Sequence, residues 1–126
     1  MLRCALVLAL AAIACAPAAA QVARNFPANA LRGELIIDQA PEARLNGRPA
    51  RLAPGVRIHD TQNMLVVSGA ATGQKLPVHY TLDTLGLVRE VWILRPDELA
   101  IKPWPVTPQE AQAWSFDPVA QRWTKP

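Results

Sequence analysis

Histidine is the side chain most often recruited for proton transfer near neutral pH, and it is a common metal ligand. The chain has two, His59 and His79. His59 stands beside Asp60, and Ser68 follows downstream, which together sketch a hydrolytic centre. The sketch does not close. Ser68-Gly69-Ala70 lacks the G-x-S-x-G context, and neighbouring His and Asp side chains on a strand point to opposite faces. A metal site wants a third ligand at suitable spacing, and none adjoins either histidine. Glu34, Asp38 and Asp60 would form an acid–base pair only if strands brought them together; a solvated face is the plainer expectation. Asn46-Gly47 is a turn rather than a phosphate loop, and no Walker, Rossmann or EF-hand spacing occurs. Both histidines are therefore expected on the surface. No catalytic residue, metal or cofactor is assigned. A small hydrolase or lyase using His59 or His79 with a carboxylate is kept as the alternative.

The basic cluster Arg44, Arg48, Arg51 and Arg57 is the candidate binding site. No carboxylate interrupts it, and guanidinium groups so grouped suit phosphate or carboxylate ligands. A hairpin around Asn46-Gly47 sets Leu45 opposite Arg48 and Arg44 near Pro49, so Arg44 and Arg48 are expected along one edge. The competing explanation is an edge strand guarded by charge against sheet-to-sheet association. A second uneven feature is the C-terminal set Trp104, Trp114, Phe116 and Trp123. Such rings form a partner epitope, or they anchor a tail that wraps its own domain. The wrapping role is expected, with Trp104 and Trp114 as anchors.

The elements that must position these groups read as short strands. Leu31, Gly33, Leu35 and Ile37 alternate with Arg32, Glu34, Ile36 and Asp38, a half-buried strand in which Gly33 marks a bend or a close backbone approach. Asn46-Gly47 signals a type I′ hairpin, and Pro49 places that ribbon at an edge. Pro54-Gly55 fits the centre of a type II turn, followed by a short strand Val56 to His59. Thr61-Gln62-Asn63 turns the chain into a strand Met64 to Ser68. Lys75 to Asp83 alternates clearly, with Leu76, Val78, Tyr80 and Leu82 on one face and Pro77, His79 and Thr81 on the other. Leu87 to Arg95 is apolar on both faces at Trp92-Ile93-Leu94, so it is central or covered by the tail. Leu35, Ile37, Ile58, Val67, Val78, Tyr80 and Val91 are predicted to point inward.

After Arg95 the text changes. Pro96 opens one helical turn through Ala100, and Lys102 to Pro108 favours extended polyproline backbone. Thr107, Pro108 and Glu110 outline a capped helix through Trp114, and Ser115 to Pro126 reads as irregular. The prediction is an all-β chain: a small antiparallel β-barrel, OB-like or a rolled sheet, with a short C-terminal helix and a Pro/Trp-rich tail. No interval holds the crossover helix of a parallel βαβ fold.

Met1 to Ala20 has the three parts of a secretory signal: Arg3, the apolar run Ala5 to Ala14, and the small residues Ala18-Ala19-Ala20. Cleavage before Gln21 is expected. The rival is a degenerate lipobox, Ala12-Ile13-Ala14-Cys15, which would leave a lipoprotein anchored through Cys15. Both cysteines, Cys4 and Cys15, lie in this segment, so a mature chain from Gln21 holds no disulfide or thiolate. The organisation is thus 1–20 signal peptide, 21–30 irregular lead-in, 31–95 barrel and 96–126 tail. Of the 126 residues, 51% are hydrophobic and 18% charged, which excludes a disordered chain by composition. The formal charge of +3 is far from the basic stripe of a nucleic-acid binder.

The stretch Leu45 to Ile58 (LNGRPARLAPGVRI), with Val78-His79-Tyr80-Thr81 and Val91-Trp92-Ile93-Leu94, resembles small exported proteins of unknown function from proteobacteria. The resemblance covers about residues 26 to 100. It implies a compact, OB-like β-barrel and a periplasmic or secreted location, and it carries no catalytic residue. The functional expectation is a non-enzymatic binding or accessory module. Its partner would be an anionic envelope polymer, a lipid headgroup or a protein; nucleic acid is not expected, and the mature chain has no membrane span.

Overall fold

The computed structural model describes residues 23–126. The expected signal segment, with Cys4, Cys15 and the junction before Gln21, lies outside the described residues. Five strands close a barrel: β1 (Leu31–Gln39), β2 (Glu42–Leu45), β3 (Arg48–His59), β5 (Leu76–Leu82) and β6 (Val88–Ile93). The order runs β2-β1-β5-β6-β3, and β3 returns to β2. Closure works because β1 changes partner at Leu35. Its first half pairs with β5 and its second half with β2. A two-residue strand β4 (Leu65–Val66) adds to the outer side of β3. Among the described strands all pairings are antiparallel except β3–β6, which is parallel; outside the strand pairs, a single bridge Ile37↔Thr72 is also parallel. The predicted all-β barrel is thus the fold, with the β3–β6 pair as the exception to its antiparallel character.

Local chemistry explains the turns. Asn46 and Gly47 have φ of 53° and 78°, as a type I′ hairpin requires. The tip folds back on β1: Asn46 Oδ1 accepts from the Glu34 N–H at 2.9 Å, and the Asn46 N–H donates to Glu34 O at 2.8 Å. A Cβ at Gly33 would lie 2.9 Å from Asn46 Oδ1 and 3.1 Å from Tyr80 Cε1, so the glycine permits a close approach. Pro54-Gly55 is not a turn between strands. It forms a bulge inside one long β3, where pairing with β6 slips from Leu52↔Val88 to Arg57↔Glu90. Gly55, at φ 75°, absorbs the extra residues. The Pro49 end of β3 precedes the first β6 pairing at Leu52, so that stretch has β2 as its sheet neighbour and tolerates a proline.

The barrel interior is apolar. Leu35, Ile37, Ile58, Val78, Val88 and Val91 are at most 1% exposed, joined by Leu31, Leu52, Leu76 and Tyr80. Six of the seven residues predicted inward are there. Val67 is the exception, at 75% exposure, because the chain leaves β4 for a 3₁₀ turn at Ser68–Ala71 and Val66 packs instead.

A second apolar layer covers the outer face of β5 and β6. It contains Phe26 and Ala30 from the lead-in, Trp92 and Leu94 from β6 and its exit, and Trp104 and Trp123 from the tail. The tail begins with the helical turn α1 (Pro96–Leu99), runs extended past Pro105, and enters α2 (Pro108–Ala113). Thr107 Oγ1 caps α2 by accepting from the Glu110 N–H at 3.2 Å. The last segment is not irregular: β7 (Ser115–Asp117) and β8 (Arg122–Thr124) form a hairpin with Phe116 opposite Trp123. Its turn is held by Asp117 Oδ1, which accepts from the N–H groups of Val119 and Ala120. Trp104 is buried as predicted. Trp114 is only half-buried, and Trp123 is the second anchor.

Candidate functional site

The lead-in, packed beside β6, borders a cleft of about 710 Å³. Four segments meet there: the lead-in at Arg24 and Asn25, the end of β3 with the loop 61–63, β6 at Glu90 and Trp92, and Arg95-Pro96. Parallel pairing puts His59 beside Trp92, and their rings stack at 5.5 Å with planes 7° apart. His59 Nε2 lies 2.9 Å from Glu90 Oε2. An ionised carboxylate only accepts, so Nε2 carries the proton. Nδ1 of His59 is buried and has no hydrogen-bond partner among the described residues.

The walls are tied together. Arg24 is 5% exposed in its side chain and forms a two-pronged pair with Glu98. Its remaining N–H groups donate to Asp60 O at 2.8 Å and Ile93 O at 2.7 Å. One guanidinium thus joins the lead-in, the loop after β3, the end of β6 and α1. The loop is built on Asp60, whose Oδ1 accepts from the N–H groups of Gln62 and Met64, each at 2.9 Å. Asn63 takes a left-handed backbone, φ 63°, to complete it. Arg95 donates to Asp97 Oδ1 at 3.2 Å and to Thr61 O at 3.3 Å.

His79 is not on the surface. It is 1% exposed, because the tail covers the outer face of β5. Its ring stacks on Trp104 at 4.1 Å and meets the edge-to-face ring of Phe26 at 4.4 Å. Arg32 Nε and Nη2 approach His79 Nε2 at 3.2 and 3.1 Å. Arginine only donates, so Nε2 accepts and the ring is neutral with its proton on Nδ1. Burial, with Arg32 and then Arg24 nearby, pushes the imidazole pKa down to about 2. Arg32 also holds the carbonyls of Glu98 and Ile101 at 3.0 and 2.7 Å. This imidazole is a structural acceptor beneath a smaller cavity of about 210 Å³.

The arginine ribbon has the register expected, Leu45↔Arg48 and Arg44↔Pro49. That register points Arg44 and Arg51 to one face and Arg48 to the other, so no shared edge forms. Carboxylates also approach from outside the cluster: Asp38 binds Arg44 at 2.9 Å, and Glu42 lies 3.5 Å from Arg51. Arg48 lines a groove with Leu82, Gly86 and Thr107, while Arg57 lies beyond the bulge opposite Glu90. Glu34, Asp38 and Asp60 do not converge: Asp38 pairs with Arg44, Asp60 holds its loop, and Glu34 bonds the hairpin tip through its backbone. Ser68 opens the 3₁₀ turn.

Glu90, Arg24 and Glu98 were not singled out from the sequence. Glu90 shares the outward face with Trp92 as a neighbour two residues away, but only the β3–β6 pairing brings it to His59. Nothing local marks Arg24, whose partner Glu98 is 74 positions distant. Among the described residues no cluster of His, Cys, Asp and Glu could hold a metal ion, and no helix is long and apolar enough to cross a membrane. No protein-family model, curated protein or solved structure matches the chain.

Proposed function

We propose that this chain is a non-enzymatic binding or accessory module of an exported, periplasmic protein, and that its ligand sits in the cleft between His59, Glu90 and the loop 61–63. The observation that carries the reading is the cleft itself. It is broad, lined by hydrogen-bonding groups, and fixed by a buried guanidinium that joins four chain segments. Fixed walls lower the ordering cost of binding. An anionic envelope polymer, a lipid headgroup or a protein partner would also meet Arg48 and Arg57, the two ribbon arginines that, among the described residues, no carboxylate holds in an ion pair.

The hydrolase or lyase alternative gains one observation, the 2.9 Å contact of His59 with Glu90 in this cleft. A general base must present a free ring nitrogen to the proton it takes. His59 offers Nε2 to Glu90 and has Nδ1 closed off from solvent. His79 is neutral, enclosed and engaged by Arg32. These commitments favour holding a ligand over transforming it.

The test is a titration of the exported chain with glycerol phosphate and with a short neutral glycan, followed by backbone amide NMR shifts. Saturable shifts at residues 59–63 and 90–95 are expected, with both solutes recovered unchanged. Shifts confined to Arg48 and Arg57 would move the site to the ribbon. Conversion of either solute would overturn the non-enzymatic reading.

A further inference from the structure

The side chains lining the cleft specify a ligand chemistry. Resting on the binding reading above, we infer that the cleft takes a saccharide: a neutral, hydroxyl-rich sugar ring rather than a bare anion or an apolar group. Asn25, Gln62 and Asn63 line it, and among the described residues their amide side chains hydrogen-bond to no protein group. The Thr61 hydroxyl is likewise unused. Each amide has a carbonyl that accepts and an NH₂ that donates. Glu90 commits one oxygen to His59 and keeps the other, at a side-chain exposure of 27%. Adjacent sugar hydroxyls are both donors and acceptors, and such a mixed set satisfies them on both counts.

The alternatives fit less well. The cations that face the cleft already hold carboxylates: Arg24 holds Glu98, and Arg95 holds Asp97 and approaches Glu98 at 3.6 Å. A phosphate or carboxylate would have to share them and would meet Glu90 as a like charge. An apolar ligand would bury the amides without partners, which costs free energy for each group left unpaired. The volume, about 710 Å³, lies within the range of small-ligand sites and exceeds that of one sugar ring. The amides are also placed in advance. Asp60 fixes the backbone of the loop 60–64, and Arg24 ties Asp60 O to the lead-in that carries Asn25.

The probe is the disaccharide of N-acetylglucosamine, titrated into the isotope-labelled exported chain as the cell processes it. Saturable amide shifts are expected at Asn25, Gln62, Asn63 and Glu90, with a Kd of about 1 mM or tighter. Gln62→Ala removes an exposed amide, and Asn63→Gly removes another while allowing the left-handed backbone. Each variant should weaken binding about tenfold, the loss of roughly one hydrogen bond left unmade. Leu85→Ala, on an exposed turn away from the cleft, should bind as the parent does. Glycerol phosphate separates this inference from the reading beneath it. If glycerol phosphate moves the cleft amides and the disaccharide does not, the saccharide assignment falls and the binding site stands. Disaccharide binding that survives both amide variants unchanged would also overturn it. If neither solute moves the cleft, both fall.

Discussion

The barrel interior and the layer outside β5 and β6 are two cores of different construction. The interior is filled by aliphatic side chains from all five barrel strands, and Tyr80 is the polar member, its hydroxyl within 3.5 Å of Val106 O. The outer layer is aromatic, and polar groups are threaded through it: Arg24, Glu98, Arg32 and His79. Its two halves come from opposite ends of the chain. Gln121 brackets the Phe26 backbone, Trp104 Nε1 donates to Ala30 O at 2.9 Å, and Arg24 reaches Glu98. The interior can form wherever strands alternate. The outer layer needs specific hydrogen bonds to tell the lead-in and tail where to lie, because flat rings on a flat face specify little by themselves. The lead-in half of that layer borders the cleft.

The two cores should break differently. Val78→Asp places a charge at the fully buried centre of the interior, where an unpaired carboxylate costs several kcal/mol or takes up a proton. A domain of this size has roughly 5–15 kcal/mol to lose, so global unfolding is expected, with far-UV and near-UV circular dichroism lost together. Arg24→Ala removes one partner of a buried pair and leaves Glu98 only its contacts with Arg95, a loss of up to about 3–5 kcal/mol. Here the outer layer should loosen first. The near-UV tryptophan signal and dye exclusion should fail at a lower temperature than the strand signal. Coincident transitions in Arg24→Ala would mean that the two cores are one cooperative unit.

The tail tryptophans sharpen the same contrast at single-residue scale. Trp123 is 5% exposed and packs on Phe116 and Trp104 at centroid distances of 4.7 and 6.1 Å. Trp123→Ala should cost about 3–4 kcal/mol. Trp114 is half-buried, with Lys125 Nζ 5.3 Å over its ring. Trp114→Ala should cost less, about 1–2 kcal/mol for partial burial and an exposed cation–π contact. Equal losses in the two variants would erase the distinction between anchor and flank.

The barrel was legible in the sequence because its signals are local. Period-two alternation marked Leu35, Ile37, Val78 and Tyr80, Asn46-Gly47 fixed a hairpin, and Thr107-Pro108 capped a helix. What was not legible depends on partners distant in the chain. Val67 continues an apolar pattern but leaves the strand for a 3₁₀ turn. His79 alternates correctly to the outer face, and alternation cannot say that a tail will cover that face. The β7–β8 hairpin is three residues a side, too short to show a period. The arginines looked unpaired because Asp38 and Glu42, the acids that pair with Arg44 and Arg51, lie outside the run. The His59–Glu90 contact follows from the parallel β3–β6 pairing, which adjacent strands in sequence do not foretell.

The smallest effect is also the most specific to the outer layer, because it reads the protonation of His79. In the folded protein its pKa is pushed down to about 2, while an unfolded histidine titrates near 6.5. Below pH 6.5 the unfolded chain binds a proton that the folded chain refuses, so the unfolded state gains and stability falls as pH drops. The contribution is fully present above pH 6.5. It declines by about 1.4 kcal/mol per pH unit between 6.5 and the folded value, reaching a loss of about 1.4 kcal/mol by pH 5.5. Other groups titrate in the same window, so the parent is compared with His79→Gln. Glutamine has a carbonyl oxygen that can accept from Arg32 but no proton to gain. Denaturant unfolding at pH 7.5 and 5.5 should show the parent losing about 1.4 kcal/mol more than the variant across that step. The excess arises only if the tail keeps the imidazole sealed in the native state. Were the two proteins to lose equal stability, His79 would be titrating normally in the folded protein, and the outer layer would be open to water at its centre.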